Sequence, residues 1–181
     1  MTREEALNLV KQNLKNKNLF KHVLAVEAVM KALAKRLGED EDVWALAGLL
    51  HDLDYEKTKD KPERHGYVTL EILEGKNLPQ EVLDAILAHA GHKERIKPIE
   101  KAIYAADPVT GLIVAAALIT KEKKLDAIDT EFVLRRFGEK AFARGANRDQ
   151  IKSCEELGIS LRDFISLSLD AMKAISQELG L

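Results

Sequence analysis

The stretch VWALAGLLHD, residues 43–52, places an almost wholly apolar run directly before a histidine and an aspartate. Uncompensated charge is costly in apolar surroundings, so the carboxylate of Asp52 needs a partner. An imidazole beside a carboxylate suits a divalent metal ion. The alternative is that His51 and Asp52 only end a helix, with Asp52 in solvent or capping the next segment and His51 bonded to a carbonyl oxygen. The stretch therefore predicts a helix end with metal-binding potential.

Length and composition predict one soluble domain. A chain of 181 residues can bury a core without disulfides or a structural metal. With a net charge of −2 it has no overall basic field, so we expect no nucleic acid polymer as a partner. The single Cys154 is expected in the core. We predict a cytoplasmic protein without a membrane segment, since the start of the chain is polar and the apolar stretch 112–119 is too short to cross a bilayer.

Helix signals recur along the chain, and strand signals hardly appear. Helix starts are predicted at Thr2 (a capping box with Glu5), about Phe20, Asp40 or Glu41, Pro62, Pro79, Pro98 and Ser160. The corresponding ends include Gly38, about Leu53, Gly75 and His89. We predict an all-α helical bundle in a single domain, residues 1–181, with a core over about 18–120 and a C-terminal helical extension over about 121–181.

The acidic and histidine residues fall at predicted helix ends. His22 lies at the predicted start of the second helix, and His51 and Asp52 end the third. Neighbouring helical residues diverge by about 100°, so this pair can share an ion only beyond the helix end. Asp107 precedes Pro108, which favours an N-cap or a kink. These positions allow one cluster at one end of the bundle.

The order His22, His51-Asp52, Asp107 on a helical chain resembles the HD superfamily of metal-dependent phosphohydrolases, of the HDIG type. The phrases LLHDLD (49–54), AILAH (85–89) and AADPVTGL (105–112) strengthen the resemblance, which covers about residues 18–120. Where such families read His-Asp-Ile-Gly, this chain reads His-Asp-Leu-Asp. The segment FARGANR (142–148) is similar to an extension of some uncharacterised relatives. The resemblance implies an all-α HD domain with hydrolase activity.

The resemblance also implies a ligand set. His22, His51, Asp52 and Asp107 would bind one metal, and His65 and His89 match positions that hold a second ion in two-metal members, with Asp52 bridging. Such nitrogen and oxygen ligands suit one or two divalent transition metal ions, namely Fe, Mn, Co, Ni or Zn. For His65, expected in the fourth helix, the alternative is a partly exposed residue with no ligand role. His92 is expected to be a surface residue or a phosphate contact.

The expected chemistry is attack of metal-bound hydroxide on phosphorus, with Asp52, Asp54 and Lys57 as the catalytic residues. Asp54 would orient a ligand or donate a proton to the leaving group, unless it only pairs with Lys57. Positive charge must offset the charge of the substrate. The candidate substrate-binding residues are Arg64, Lys93, Arg144 and Arg148, each of which could instead be a solvated surface charge.

We therefore expect a metal-dependent phosphohydrolase of the phosphatase or phosphodiesterase class, acting on a small phosphorylated substrate, with a nucleotide favoured. One alternative is a non-catalytic regulatory HD module that binds a nucleotide; the intact ligand set argues against it, because binding alone does not require all these residues. Another is a di-iron oxygenase on the same scaffold. Apolar positions on the last helix leave a homodimer open.

Overall fold

The protein is all-α in a computed structural model that describes residues 1–181, and the predicted fold class is confirmed. It has no β-strand, and short turns join its helices. The helices are α1 Arg3–Asn13, α2 Lys17–Leu37, α3 Glu41–Leu50, α4 Tyr55–Thr58, α5 Tyr67–Leu73, α6 Gln80–His89, α7 Pro98–Leu118, α8 Thr130–Gly138, α9 Arg148–Lys152, α10 Leu161–Ala174 and α11 Ser176–Leu179. Three 3₁₀ turns cover Pro62–Arg64, Leu125–Ala127 and Ser153–Leu157.

Local sequence determines several helix ends. The hydroxyl of Thr2 accepts a hydrogen bond from the N–H of Glu5, whose carboxylate accepts one from the N–H of Thr2, so the capping box is formed. Asp40 and Ser160 are simple N-caps: their side chains accept hydrogen bonds from backbone N–H groups in the first turns of α3 and α10. Helix α2 ends at Gly38, whose φ of +74° is in the left-handed region. These ends follow from side-chain chemistry within one turn.

The centre of the bundle is formed by α2 and α7, around which the other helices pack. Helix α3 approaches α2 closely at Gly48, where an added Cβ would lie 2.9 Å from backbone atoms of Val26 and Glu27. Only glycine permits this approach, because backbone atoms cannot give way as a flexible side chain can. The contact fixes the end of α3, and therefore His51, against α2.

One apolar core of 42 buried residues runs through the molecule. It includes Phe164, Ile165 and Met172 from α10 together with the interior of α2 and α7. By length and composition α7 could cross a membrane, but 61% of its most apolar window is buried inside the bundle. The apolar composition of α7 is therefore explained by its place in the core of this fold.

Several local predictions are wrong. Helix α3 ends at Leu50, and the single helix expected from Pro62 to Gly75 is a 3₁₀ turn followed by α5. His65 consequently lies between these two elements, outside any helix. His22 lies in the second turn of α2, since this helix begins at Lys17. Asp107 is not an N-cap, because it lies inside α7, which continues through the buried Pro108. The kink stays a prediction. Burial of α7 on neighbouring helices outweighs the backbone hydrogen bond that proline cannot donate.

Candidate metal centre

The six predicted ligands converge on one point at the end of the bundle, with Asp52 in the middle. Its Oδ2 atom lies 3.6 Å from Nε2 of His22 and 3.5 Å from Nε2 of His51. Its Oδ1 atom lies 3.4 Å from Nε2 of His65 and 3.4 Å from Nε2 of His89. Each carboxylate oxygen therefore faces a different pair of imidazoles.

Asp107 joins one of these pairs. Its Oδ1 atom lies 3.0 Å from Nε2 of His22 and 3.9 Å from Nε2 of His51. We call His22, His51 and Asp107 the first ligand group, and His65 and His89 the second ligand group, with Asp52 shared between them. Each oxygen of the Asp52 carboxylate therefore faces one ligand group.

Backbone carbonyls fix two of the rings. Nδ1 of His51 lies 2.7 Å from the carbonyl oxygen of Gly48, and Nδ1 of His89 lies 2.6 Å from that of Ile86. A carbonyl oxygen only accepts hydrogen bonds, so in both residues Nδ1 must carry the proton. In the neutral ring, Nε2 then has a free lone pair that points to Asp52.

Side chains, instead of backbone carbonyls, bind Nδ1 of the other two rings. His65 places Nδ1 2.8 Å from Oδ1 of Asp54. His22 places Nδ1 3.2 Å from the hydroxyl of Thr110, which itself donates to the carbonyl of Asp107 at 2.9 Å and so accepts from His22. The four imidazoles thus all present Nε2 to the centre and Nδ1 to a fixed acceptor, as metal-ligating histidines do.

This arrangement of lone pairs favours a positive charge at the centre, either protons on the rings or a metal ion. Nε2 of His65 and Nε2 of His89 lie only 3.1 Å apart, and Nε2 of His51 is buried without any hydrogen-bond partner. Lone pairs that face one another and a carboxylate repel, and a buried polar atom without a partner is costly. Imidazole nitrogen and carboxylate oxygen are ligands for divalent transition metals. The donor set therefore fits a metal ion.

The pKa values of the metal-free site follow from burial and from these contacts. Burial lowers the pKa of His51 to about 4, so this ring is neutral at pH 7. Burial opposes ionisation of Asp52, but the adjacent His51 and His89 outweigh it and lower the pKa of its carboxyl. Burial likewise opposes a charge on His22 and His65, whose pKa values are nevertheless raised, by Asp107 and by Asp54 respectively. A bound metal would displace these protons.

Asp54 is a positioning residue. It is fully buried, and its carboxylate accepts hydrogen bonds from Nδ1 of His65 and from the backbone N–H groups of Gly66 and Thr69 at 2.7 and 3.0 Å. Burial opposes its ionisation, but the His65 hydrogen bond and these N–H groups lower the pKa of Asp54, so it stays ionised. Of the two roles considered, the structure favours orientation of a ligand over proton donation. The alternative pairing with Lys57 is absent, because Nζ of Lys57 donates to Asn13 at 2.7 Å.

A cavity of about 470 Å³ opens onto the ligands. It is lined by Leu19, His22, Asp52, Tyr55, His65, Asp107, Pro108, Gly111, Ala143, Gly145, Ala146 and Gln150. No lysine or arginine is among them. Sequence reasoning missed Tyr55, Thr110, Gly111 and Gln150, although the first three lie within or next to the phrases that carry the family resemblance.

Most of the predicted cationic contacts are occupied elsewhere. Arg148 donates six hydrogen bonds to backbone carbonyls between residues 136 and 146, so it holds this loop and does not reach the cavity. Arg64 pairs with Glu71, and Lys93 pairs with the buried Glu100. Arg144 is exposed between two residues that line the cavity, and its role stays a prediction. None of Lys57, Arg64, Lys93 and Arg148 lines the cavity.

His92 does not line the cavity either. Its ring packs against Tyr67 at 4.4 Å between ring centroids, with an angle of 33° between the ring planes. Gly66, which follows the ligand His65, has a φ of +81° and lies close to Ala90. His92 therefore belongs to the packing between α5 and the end of α6.

A helical bundle that gathers histidines and aspartates in this way indicates a metal-binding protein, and comparison with known proteins identifies its family. A family model described as the HD domain matches residues 19–112, so the chain belongs to the HD domain family. The family resemblance inferred from the sequence is confirmed. No solved structure matches the chain.

Its curated relatives include ribonucleases. Ribonuclease Y of a Sulfurovum species is 30% identical over 73% of this chain and 26% of its own length, and that of a Nitratiruptor species is 32% identical over 73% and 26%. Ribonuclease Y of Lactobacillus acidophilus is 26% identical over 90% of this chain and 30% of its own length. The chain thus spans about a quarter to a third of these relatives. Family and relatives together support a hydrolase in general terms.

Proposed function

We propose that this chain is a metal-dependent phosphoester hydrolase whose substrate is a nucleotide. One observation carries the proposal: four imidazoles, each tied at Nδ1, direct Nε2 to both oxygens of one buried carboxylate. A protein that only binds a nucleotide for regulation does not need this set of metal ligands. The proposal includes both ligand groups, and hence two ions of Fe, Mn, Co, Ni or Zn.

A divalent metal held there would polarise a phosphoryl oxygen and lower the pKa of a coordinated water. The chain itself supplies the geometry. Asp52 separates the two ion positions, and the fixed Nδ1 contacts keep the rings from turning when a substrate enters. Asp107, His22 and His65 have 33%, 23% and 21% of their side chains exposed, whereas His51 is fully buried and His89 is 3% exposed, so the site opens over members of both ligand groups.

The charge distribution supports this assignment. Because the cavity has no lysine or arginine in its wall, bound cations are the source of positive charge for a phosphate. Tyr55 lies at the mouth with 46% of its surface exposed and its ring edge-on to His65, 6.1 Å between centroids. An exposed aromatic face beside the metal centre suits stacking with a nucleobase.

A phosphodiester bond in RNA is a second candidate substrate, favoured by the similarity to Ribonuclease Y proteins. The turn before α2 and helix α4, which begins at Tyr55, offer a local feature in its favour. Glu56 accepts hydrogen bonds from the backbone N–H groups of Lys15 and Asn16 at 2.6 and 3.1 Å, which fixes the turn before α2 against α4. Lys15 and Lys57 are exposed in these two segments, and a phosphate backbone that follows them would meet both positive charges.

The test is hydrolysis by the purified chain, loaded with each candidate metal in turn. The substrates are p-nitrophenyl phosphate, bis(p-nitrophenyl) phosphate, nucleoside monophosphates, dinucleoside polyphosphates and a single-stranded RNA of twelve nucleotides. If the substrate is a nucleotide, the chain should hydrolyse the small compounds, and Lys15→Ala and Lys57→Ala should not lower that turnover. An RNA substrate predicts that these variants weaken RNA cleavage, with Lys35→Ala on the exposed side of α2 as the matched control.

Two results would contradict the proposal. Metal binding without hydrolysis of any substrate, under every metal, would favour the non-catalytic nucleotide-binding module. Oxygen consumption by the iron-loaded protein, without hydrolysis, would favour the di-iron oxygenase. Elemental mass spectrometry and an oxygen electrode distinguish the two.

A further inference from the structure

A second cavity lies beside the metal centre and has no role in the reaction described above. It measures about 420 Å³ and lies between α2, α7 and the residues after α10. His22 and Gly111 line both this cavity and the one that opens onto the ligands. The two spaces are therefore neighbours on either side of one ligand and one glycine.

Gly111 keeps the boundary between the cavities low. It lies exposed on α7, and a Cβ built there meets no atom within 4 Å. Glycine inside a helix costs about 0.5–1 kcal/mol relative to alanine, and here no neighbouring atom requires it. An open path over α7 is the feature that glycine provides at this position.

The wall of the second cavity combines one charge with an apolar surface. Lys21 is the only lysine or arginine that lines it, beside the polar side chains of Asn18 and Thr110. The remaining wall is largely aliphatic, with Val114, Leu118, Leu179 and Leu181 among its residues. A ligand with a compact flat body and one phosphate matches this wall better than a sugar or a metabolite with several charges.

We propose that the second cavity is a subsite for the nucleotide unit next to the scissile phosphate. That unit places its own phosphate on Lys21 and its base on the aliphatic wall, while the scissile phosphate occupies the metal centre across Gly111. The inference rests on the proposed function and narrows it: the substrate is a phosphodiester that carries a second phosphate, in a dinucleotide or at the end of a longer strand. Lys21 then provides the positive charge that the metal cavity lacks.

The test compares three dinucleotides with the metal-loaded chain. We expect pApA or ApAp, each with one terminal phosphate, to bind about tenfold more tightly than ApA, which has none. Lys21→Met should abolish this preference, and Gly111→Leu should weaken binding of all three. The matched controls are Lys31→Met, on the exposed side of α2, and Gly138→Leu, at an exposed glycine that also has no atom near its Cβ position. Thermal unfolding confirms that each variant is folded.

Equilibrium binding and turnover separate the possible outcomes. Equal affinity of wild type for all three dinucleotides, or a preference that survives in Lys21→Met, would overturn the subsite. Binding with the expected pattern but without turnover of any substrate would retain the subsite and reject the hydrolase. An oligonucleotide of twelve residues distinguishes the two sources of the phosphate: tighter binding than the dinucleotides indicates a strand, and equal or weaker binding indicates a dinucleotide.

Discussion

The two ligand groups both direct histidine Nε2 atoms to Asp52, but their structural support differs. His22, His51 and Asp107 extend from α2, from the end of α3 and from α7, whose positions are determined by the apolar core. In the second group, His89 ends α6 but His65 lies in a connection, with 21% of its side chain exposed. Its place depends on three hydrogen bonds to Asp54 from its own ring and from the start of α5. The first group is therefore a consequence of helix packing, and the second of one buried carboxylate.

Loss of Asp52 should have the largest effect, because both groups share it. We expect Asp52→Ala to abolish metal binding and to lower turnover about a thousandfold or more. Helical content should survive, because the folding energy comes mainly from the apolar core. Metal analysis, activity and circular dichroism test this, with the exposed Asp60→Ala as control. Global unfolding of Asp52→Ala would instead indicate a structural role.

Removal of one imidazole from each group should separate the two ion positions. We expect His65→Gln to keep about one metal ion per chain, since the first group is intact. His51→Gln should keep less than one ion per chain, since it loses the buried ring. Elemental mass spectrometry after dialysis measures the content. Equal losses in the two variants would contradict the difference in support between the groups.

The dependence of the second group on Asp54 predicts a smaller effect. Asp54→Asn keeps an acceptor for backbone N–H groups but loses the charge that orients His65. We expect metal affinity at the second position to fall about 10- to 100-fold, as for other residues behind a metal ligand. Isothermal titration with the metal measures it. Glu100→Gln is the matched control. Glu100 is also a buried carboxylate that accepts hydrogen bonds from two backbone N–H groups, those of Ile96 and Lys97, but it contacts none of the candidate metal ligands.

In the metal-free protein His51 and His65, one residue from each group, should respond to acid in opposite directions. The pKa of His51 is lowered from 6.5 to about 4 in the folded state, so the unfolded chain takes up its proton first as the pH falls. We expect His51 alone to reduce the free energy of unfolding by about 2 kcal/mol between pH 7 and pH 5. The raised pKa of His65 has the opposite sign: its contribution is present below the unfolded value and is lost as the pH rises through the folded value.

Urea unfolding at the two pH values measures both contributions. His51→Gln should lose less stability in acid than wild type, and His65→Gln should lose more. If the two variants lose the same stability between pH 7 and pH 5, the contributions of His51 and His65 do not have opposite signs.

How much could be predicted depended on the range of the interactions involved. Helix ends at Thr2, Gly38, Asp40 and Ser160 follow from chemistry within one turn, and they were predicted correctly. The single helix expected from Pro62 to Gly75 is wrong, because the Asp54 carboxylate accepts hydrogen bonds from the N–H groups of Gly66 and Thr69, twelve and fifteen residues away, and so separates the first turn from α5. The continuation of α7 through Pro108 was also missed, since it depends on packing against other helices.

The sequence by itself determined the helical fold, the HD family and the identity of the six candidate ligands, because residue types, their order and apolar periodicity carry this information. Only the tertiary structure decided how the ligands divide around Asp52, that Asp54 orients His65, and that Arg148 holds a loop instead of a substrate. These features join residues that are far apart in the chain, and local patterns do not encode the distances between them. Lys21 lines a cavity that no sequence motif indicates, because its wall is also formed by residues far apart in the chain.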